Sequence, residues 1–487
     1  MGIEERDVRI KKLKEIEEMG IEPYRERYER THSLSEAKKL PLGTKGIRVA
    51  GRVFTIRIFG RLVFATILDF SGKMQVALQE KTLGKEKFKF FKKYIDIGDF
   101  VGFEGTLFKT KMGEITIDVK SFELLSKAIR PLPEKWHGLQ DIELKYRQRY
   151  LDLIMNEESK ERFIKRTKII KSIRDFLDSN GFLEVDTPVL QTKPSGAIAT
   201  PFITHHNALD MDLYLRIAPE TYLKRVIAGG FEKVYEFARC FRNEGIDPSH
   251  LQDFTLLEYY VAYWNFEDNM RFTKELIKHV LTEINGSLIL KTRGKEINFD
   301  GEWEVITMRD LILRDTGIDY TELGDEKSLI EEIKKRNIEI QDIEKMGFGT
   351  IIDNLYKKVS RPNIDGPLFI IHHPIELSPL ARKNSKNPRV TDRFQLVVAG
   401  WEIVNAYSEL IDPIDQRERF EKQMEMRAKG DEETMVMDED FLVAMEHGMP
   451  PMSGWGMGID RFVSLLTDQE NLRDVVLFPL MKPLDYK

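Results

Sequence analysis

The sequence contains a single cysteine, Cys240, among its 487 residues. One thiol excludes a disulfide framework and any zinc site built from clustered cysteines. No run approaches the ~20 consecutive apolar residues that a membrane-spanning helix requires. The first twenty residues alternate acidic and basic side chains and lack the apolar centre of a secretory signal. These absences predict a cytoplasmic protein with no membrane partner.

An excess of positive charge is also missing, because the formal net charge is -6. Any contact with nucleic acid therefore depends on local basic patches. One candidate is KTLGKEKFKFFKK, residues 81–93, which carries six lysines against one glutamate. Judged by charge alone, this segment is equally consistent with the solvated face of a helix.

The amino-terminal part of the chain combines helical and β-rich segments. Residues 1–43 are predicted to form one or two charged helices, and residues 47–125 read as five short strands with a helical interruption at Lys85–Lys93. This pattern predicts an all-β Greek-key barrel of the OB type. Such barrels commonly bind oligonucleotides, although a fold alone does not define a function.

The remainder of the chain mixes helices and strands without a regular βαβ alternation. We therefore predict an α+β domain on a mostly antiparallel sheet. The predicted organisation is an amino-terminal domain of helices and barrel over residues 1–126, a linker over 127–150, and a second domain over 151–487. Residues 307–360 read as a mainly helical insertion near the edge of that sheet.

The segment Val234–Tyr263 reads as a long antiparallel hairpin around a polar loop. Because alternate residues of a strand share a face, Phe254, Glu258 and Tyr260 are expected on one surface, close to Arg242. A ring, a carboxylate, a phenol and a guanidinium suit a ligand that is both planar and charged. The alternative for this segment alone is a salt-bridged sheet face.

Three segments resemble the signature motifs of class II aminoacyl-tRNA synthetases. FRNEG at Phe241–Gly245 resembles motif 2, and GWGMGIDR at Gly454–Arg461 resembles motif 3. The helix before Gly181, with the run GFLEVDTPVL that follows it, resembles motif 1. Three motifs in this order are far more specific than one glycine-rich string, which could pass for a nucleotide loop.

Further strings resemble the lysyl-tRNA synthetases, and the resemblance extends over nearly the whole chain. They are RQRYLDL at Arg147–Leu153, THHNALDMDLYLRIAPE at Thr204–Glu220, HHPIELSPLAR at His372–Arg382 and NAYSEL at Asn405–Leu410. The resemblance implies a class II catalytic domain behind an OB-fold anticodon-binding domain. It also implies ATP-dependent activation of lysine to lysyl-adenylate, followed by transfer to the 3′ end of lysine tRNA.

The resemblance assigns residues to an ATP site. Arg242 and Arg461 are implied as the catalytic arginines, with Arg242 on the α-phosphate and the lysine carboxylate. Phe254 would stack on adenine against Arg461, Glu244 would accept from the adenine amine, and His250 would meet the terminal phosphates. Mg²⁺ is the implied cofactor, with Glu402 and Gln395 as its ligands.

The resemblance also assigns a lysine site, an anticodon site and an assembly. The side-chain ammonium would meet Glu220 and Glu409 with Tyr260, whereas Gly196 and Glu258 would hold the α-amino end and Asn405 would meet the carboxylate. On the barrel, the implied anticodon contacts are Arg57, Phe64 and Gln75, with a core position as the alternative for Phe64. A homodimer through motif 1 is implied as well.

Two positions depart from the family pattern. Leu251 stands where an asparagine is usual, and Gln395 stands where a glutamate helps to hold magnesium. These departures leave open a catalytically weakened paralogue that binds RNA or a protein. A third interpretation is a relative that lysylates a protein, which the complete barrel disfavours. The adjacent histidine pairs 205–206 and 372–373 are read as structural hydrogen bonding rather than as metal ligands.

Overall fold

The structure, a computed structural model, describes residues 2–133, 141–245, 247–428 and 435–483. The chain divides into two compact units, 1–140 and 141–487. In the described residues, no helix is both long enough and apolar enough to span a membrane.

The first unit begins with two helices and continues into a five-stranded barrel. Its elements are α1 (Gly2–Glu18), α2 (Leu34–Lys38), β1 (Ile47–Phe59), β2 (Leu62–Asp69), β3 (Gly72–Gln79), α3 (Glu80–Leu83), α4 (Lys85–Tyr94), β4 (Phe100–Lys109) and β5 (Ile115–Ser126). The barrel closes in the order β1-β2-β3-β5-β4. Phe88 and Phe91 of α4 are buried in its core, so the lysine-rich helix packs one apolar face inward. The predicted OB-type barrel with its helical interruption is confirmed.

The second unit is built on one large sheet. Its helices are α5 (Ile142–Arg147), α6 (Arg149–Met155), α7 (Glu157–Ser179), α8 (Glu220–Ala228), α9 (Phe266–Asn285), α10 (Met308–Thr316), α11 (Glu326–Lys335), α12 (Phe348–Leu355), α13 (Pro413–Ala428), α14 (Glu439–Glu446) and α15 (Ile459–Leu466). Its strands are β6 (Leu183–Glu184), β7 (Leu190–Gln191), β8 (Ile203–His206), β9 (Met211–Leu215), β10 (Lys233–Phe241), β11 (Asp253–Ala262), β12 (Ile289–Thr292), β13 (Lys295–Asn298), β14 (Glu304–Thr307), β15 (Leu368–Ile371), β16 (Arg393–Val398), β17 (Trp401–Ser408) and β18 (Met452–Gly458).

Eight of these strands form the sheet that carries the site, in the order β14-β15-β16-β17-β18-β11-β10-β6. Only the two outermost pairs, β14 with β15 and β10 with β6, are parallel. The mostly antiparallel α+β architecture is therefore confirmed. The core lies where α7, α9 and α15 cover this sheet, with Tyr259 stacked on Trp455 at a centroid distance of 4.6 Å.

The predicted helical insertion corresponds to the connection between β14 and β15. Helices α10, α11 and α12 fill it, and their apolar faces form a separate core around Leu311 and Ile352. Because β14 and β15 are parallel neighbours, the chain needs a long crossover between them, which these helices supply.

The predicted linker, 127–150, overlaps the second unit. Residues 134–140 lie outside the described part, but α5 and α6 begin within the predicted linker. Arg149 is buried, pairs with Asp152 at 2.6 Å and donates to the carbonyl of Leu477. The predicted linker therefore ends in a buried ion pair that anchors α6 inside the second unit.

Candidate active site

A cavity of about 350 Å³ opens on one face of the large sheet. Its walls come from α8, the β10–β11 hairpin, the strand pair β16–β17 and the junction of β18 with α15. The predicted site residues that line it are Gly196, Glu220, Arg242, Glu244, His250, Phe254, Glu258, Glu402, Asn405 and Arg461. Elements distant in sequence thus bring most of the predicted catalytic and lysine-site residues to one surface.

Of the residues predicted for catalysis, lysine binding or magnesium binding, three do not line this cavity. Tyr260 and Glu409 are buried behind its wall, with exposed fractions of 3% and 2%. Gln395 instead lines a wider adjoining cleft of about 1900 Å³, which shares Arg242 and Glu402 with the cavity. The two spaces are therefore continuous at the residues expected to meet phosphate.

One end of the cavity combines cations with an aromatic ring. The Arg242 guanidinium lies 5.0 Å from the centroid of the Phe254 ring, because the hairpin places Phe254 opposite Cys240, just before Arg242. Arg461 follows β18 at the start of α15 and donates to the backbone oxygen of Glu402 at 3.3 Å. Burial lowers the pKa of Arg461, although Glu402 opposes this shift. This end suits a planar anion.

His250 and Arg461 contact each other across the cavity. His250 Nε2 lies 3.3 Å from Arg461 Nη2, and His250 Nδ1 lies 2.7 Å from Asp247 Oδ2. Since a guanidinium only donates, Nε2 accepts and Nδ1 carries the proton. Asp247 thus fixes the tautomer with which His250 orients Arg461.

The hairpin of β16 and β17 carries the residues suited to a cation. Ala399 and Gly400 at its two-residue turn have φ values of 49° and 73°, which matches a primed turn. Beside this turn, Gln395 Nε2 donates to Glu402 Oε2 at 3.1 Å. The Gln395 side chain also interacts with the buried imidazole of His373. An amide oxygen next to a carboxylate fits an oxygen-liganded divalent ion.

The opposite end of the cavity is acidic. Glu220 is the first residue of α8, and its Oε1 accepts from Tyr407 Oη at 2.6 Å and from Lys224 Nζ at 2.6 Å. Lys224 Nζ also lies 2.5 Å from Glu409 Oε2. The side chains of Lys224 and Glu409 are each only 1% exposed, so this ion-pair group is almost fully enclosed.

Burial shifts the ionisation of these carboxyl groups. It raises the pKa of Glu409 to about 8, while Lys224 opposes the shift. It also raises the pKa of Glu258 well above its ordinary value, and the charge of Glu220 adds to that effect. Burial alone would lower the pKa of Lys224, but Glu220 and Glu409 raise it above its ordinary value. A cation beside these carboxyl groups would favour their ionised forms, so this end suits a cationic ligand.

Gly196 approaches Glu220 closely. Its φ is 86°, which glycine tolerates far better than other residues, and a Cβ there would lie 2.9 Å from Glu220 Cβ. Asn405 is held by Arg393, whose Nε donates to Asn405 Oδ1 at 2.8 Å. Local contacts therefore fix the positions of both Gly196 and Asn405.

Sequence reasoning missed three residues that shape the site, namely Lys224, Arg393 and Tyr407. Lys224 lies four residues after Glu220, so the helical period places both on one face of α8. Tyr407 lies two residues after Asn405, and alternation along a strand could have indicated it. Arg393 precedes Gln395 by the same interval. The sequence alone does not show that Tyr407 contacts Glu220 or that Arg393 contacts Asn405, so neither residue was assigned to the site.

Leu251 also lines the cavity and packs against the main core. Its side chain offers no hydrogen-bonding group, so any contact with a nucleotide base from this position falls to the backbone.

The histidine pairs behave differently from one another. His205 Nδ1 lies 3.0 Å from Asp212 Oδ1, and His206 Nδ1 accepts from the backbone N–H of Leu209. This agrees with structural hydrogen bonding. His373 is buried, and its ring interacts with the side chain of Gln395 and the backbone of Arg393. Burial nevertheless holds the pKa of His373 well below its usual value.

The predicted anticodon residues cluster on the barrel of the first unit. Arg57 pairs with Phe64 across β1 and β2, and Arg57 Nη2 donates to Gln75 Oε1 at 3.0 Å. Gln75 in turn donates to Thr116 Oγ1 at 2.9 Å. Phe64 alternates with the buried Val63 and Ala65, so it points away from the barrel core and is half-buried. The core alternative for Phe64 is therefore wrong.

Comparisons with known proteins agree with this arrangement. Residues 141–482 match the family described as tRNA synthetases class II (D, K and N). Residues 47–125 match the OB-fold nucleic acid binding domain. The chain is 51% identical to the lysine–tRNA ligase of Carboxydothermus hydrogenoformans over 480 residues, covering 98% of both chains. It is 48% identical to that of Pelotomaculum thermopropionicum, covering 98% of this chain and 94% of the relative. With the lysine–tRNA ligase of Clostridium perfringens it shares 46% identity, over 99% of this chain and 96% of that one.

Proposed function

The chain belongs to the class II tRNA synthetases, and we infer that it is a lysine–tRNA ligase that uses ATP. The observation that carries this function is the polarity of the cavity. Two arginines and an aromatic ring occupy one end, and buried carboxylates occupy the other. A nucleotide and a dicationic amino acid fit these two ends with their reacting groups between them.

The arginine end performs the chemistry of activation. The lysine carboxylate must attack the α-phosphorus of ATP and expel pyrophosphate, so two anions approach each other. Arg242 would donate to both, since its guanidinium presents several donors in a fixed plane. Phe254 and Arg461 would sandwich the adenine, Glu244 would accept from its amine, and His250 would meet the terminal phosphates.

The acidic end selects the amino acid. Glu220 and Glu409, with Tyr260 behind them, would surround the side-chain ammonium. Gly196 and Glu258 would hold the α-amino group, and Asn405, fixed by Arg393, would meet the carboxylate. Such a site rejects an uncharged analogue by about 10⁴ or more, because its own buried charges would then be unpaired.

Magnesium is the proposed cofactor, held by Glu402 and Gln395 together with phosphate oxygens of ATP. The ion supplies positive charge at the phosphates during displacement. Among the residues that the structure describes, no group of three or more metal-binding side chains occurs. One carboxylate and one amide agree with magnesium sites that rely on substrate phosphates for further ligands.

The barrel is the proposed anticodon-binding surface. Phe64 offers a ring for base stacking, and Arg57 and Gln75 offer donors and acceptors to base edges. Their mutual hydrogen bond leaves them ordered for this purpose. We also propose the organisation of residues 1–126 as the anticodon-binding domain and 151–487 as the catalytic domain, at work in the cytoplasm.

A direct test is aminoacylation of a lysine tRNA transcript with labelled lysine and ATP. The lysine tRNA transcript should be charged with lysine, whereas an aspartate tRNA transcript should not. A parallel reaction with labelled aspartate should charge neither transcript. If lysine is not transferred, or if aspartate is transferred instead, the assignment as a lysine–tRNA ligase is wrong.

A further inference from the structure

Lys224 occupies an unusual position for a cation in a protein that binds lysine. Its ammonium group lies 2.6 Å from Glu220 Oε1 and 2.5 Å from Glu409 Oε2. These are the two carboxylates assigned above to the ammonium group of the substrate. The protein therefore carries its own lysine head group at the acidic end of the cavity.

The surroundings fix Lys224 in place. It is fully buried on α8, and its ammonium group lies 5.7 Å from the Tyr407 ring and 5.6 Å from the Phe441 ring. Tyr407 and Lys224 both donate to Oε1 of Glu220, and no hydrogen bond to Oε2 occurs in the described part of the chain. Lys224 thus fixes Oε1 of Glu220 and leaves Oε2 of the same carboxylate available to a ligand in the cavity.

Charge balance shows what this arrangement does. Burial raises the pKa values of Glu258 and Glu409, so these two groups ionise fully only beside enough positive charge. Once ionised, Glu220, Glu258 and Glu409 would supply three negative charges, and Lys224 supplies one positive charge. The α- and ε-ammonium groups of a bound lysine supply two more, which brings the buried group to neutrality. Buried charges are tolerated when they are paired. The three carboxylates are therefore fully balanced only when a ligand with two positive charges is bound.

Building on the proposed function, we propose that Lys224 is a positioning residue for lysine selection. It orients Glu220 and Glu409, and its charge opposes the rise in the pKa of Glu409, so that carboxylates face the ammonium group of the substrate. Without it, the pKa of Glu409 would rise further, and lysine binding would have to displace its proton at greater cost.

Every titratable or charged group near Glu409 enters this argument. They are Glu220 and Lys224 of α8, Glu258 and Tyr260 of β11, Tyr407 of β17, and the Arg216–Glu236 ion pair near Glu258. Burial raises the pKa values of Tyr260 and Tyr407 well above their ordinary value, so both phenols stay neutral. Lys224 is thus the only cation in direct contact with either Glu220 or Glu409 within the described residues.

The test replaces Lys224 with methionine, which matches its length and suits the two aromatic rings. Lysine-dependent exchange of pyrophosphate into ATP then gives KM and kcat for lysine. We expect KM to rise by about 10- to 100-fold, the effect of losing one charged hydrogen bond, with kcat little changed. Inhibition by norleucine, an uncharged analogue of similar length, should not weaken.

The pH profile gives a second readout. A carboxyl group with a raised pKa loses its charge as pH falls, so lysine binding weakens on the acidic side. In Lys224→Met, the acidic limb of kcat/KM for lysine should move to higher pH by about one unit or more. Titration of the substrate is common to both enzymes and cancels in their ratio. In the double variant Lys224→Met and Glu409→Gln, kcat/KM for lysine should depend less steeply on pH in this acidic range, because the titrating carboxyl group is gone.

Lys127 offers a matched control in the first unit. It is also fully buried and bridges two carboxylates, at 2.6 Å from Asp96 and 2.7 Å from Asp99. Lys127→Met should lower the midpoint of thermal unfolding without changing KM for lysine in exchange. This variant separates the general effect of removing a buried lysine from an effect on the site.

The outcomes separate the inference from the function on which it rests. Exchange by the unaltered protein that does not depend on lysine would refute the proposed function. Lysine-dependent exchange with an unchanged KM and pH profile in a folded Lys224→Met variant would refute only the role of Lys224. A fall in kcat with KM unchanged would refute it equally. If the methionine variant does not fold, Lys224→Gln carries the same expectations.

Discussion

At the scale of single residues, Arg242 has a buried hydrogen-bond donor that a ligand could satisfy. Its Nε is buried and has no hydrogen-bonding partner in the described residues. Its backbone N–H donates to Gln252 at 2.8 Å, which fixes the main chain while the guanidinium faces the cavity. A buried donor without a partner is costly, so a ligand oxygen is the natural acceptor.

Replacing Arg242 with alanine should therefore lower kcat for pyrophosphate exchange by about 10²–10³, the usual effect of losing one donor to a developing charge. The unfolding midpoint should change little. Arg239→Ala is the control, because Arg239 is exposed on β10, three residues before Arg242, and pairs with Asp253 at 3.2 Å. Exchange in Arg242→Ala at the level of this control would contradict the assigned role.

Gln395 supports a second residue-scale prediction. Glutamate at this position would place a second carboxylate beside Glu402, and hard divalent ions favour charged oxygen ligands. Gln395→Glu should therefore lower the magnesium concentration required for half-maximal exchange. Magnesium titration of both forms measures this, with Gln148→Glu as a control that lines neither space. An unchanged midpoint, or lost activity in the glutamate form, would defeat the idea.

Some of the predicted residues that line the cavity belong to contiguous motifs. Arg242 lies in FRNEG and Arg461 in GWGMGIDR, and the fold brings both to the cavity. Lys224 and Arg393 reach the site only through partners that are distant in sequence, such as Glu409 and Asn405. A single sequence does not reveal which distant carboxylate a buried lysine meets.

At the scale of elements, alternation of buried and exposed residues made the strands predictable. The barrel strands β1 and β2 follow this period over most of their length. In contrast, β3 and β11 contain runs of consecutive buried residues, so alternation alone does not define them. The helices α5 and α6 escaped prediction, because their charges resemble those of a solvated connection and are buried in specific pairs instead.

The face of the barrel around Phe64 supports a prediction at this scale. Phe64→Ala should raise KM for lysine tRNA by about tenfold or more, because stacking on one aromatic ring contributes ~1–3 kcal/mol per base. Exchange in the absence of tRNA should remain as in the unaltered protein. Phe100→Ala serves as control, since Phe100 is exposed on β4 and its ring packs against Arg52 rather than Arg57. Equal effects of both variants on charging would argue against the proposed surface.

At the scale of the whole molecule, the second unit exposes apolar side chains on its short edge strands. Leu183, Leu190 and Ile203 are 56%, 47% and 62% exposed, within or beside the segment that resembles motif 1. Apolar exposure on strand edges is typical of surfaces that a partner covers. A second copy of this chain is the partner that we propose, through a two-fold interface.

Light scattering at micromolar concentration should accordingly give twice the chain mass of 56.9 kDa. Ile203→Glu should shift the protein toward the monomer, because a two-fold contact would bury the new charge twice. Met112→Glu, at a position 94% exposed in the first unit, is the control. A stable monomer of the unaltered protein would contradict the proposed dimer.

The account as a whole depends on which amino acid the cavity activates. The most direct measurement is pyrophosphate exchange into ATP with lysine, aspartate, asparagine and norleucine supplied separately. Lysine alone should support exchange, with norleucine lower by about 10⁴ or more. Exchange supported by aspartate or asparagine, or no exchange with any of them, would contradict the account. The last result would instead favour the weakened paralogue that Leu251 and Gln395 left open.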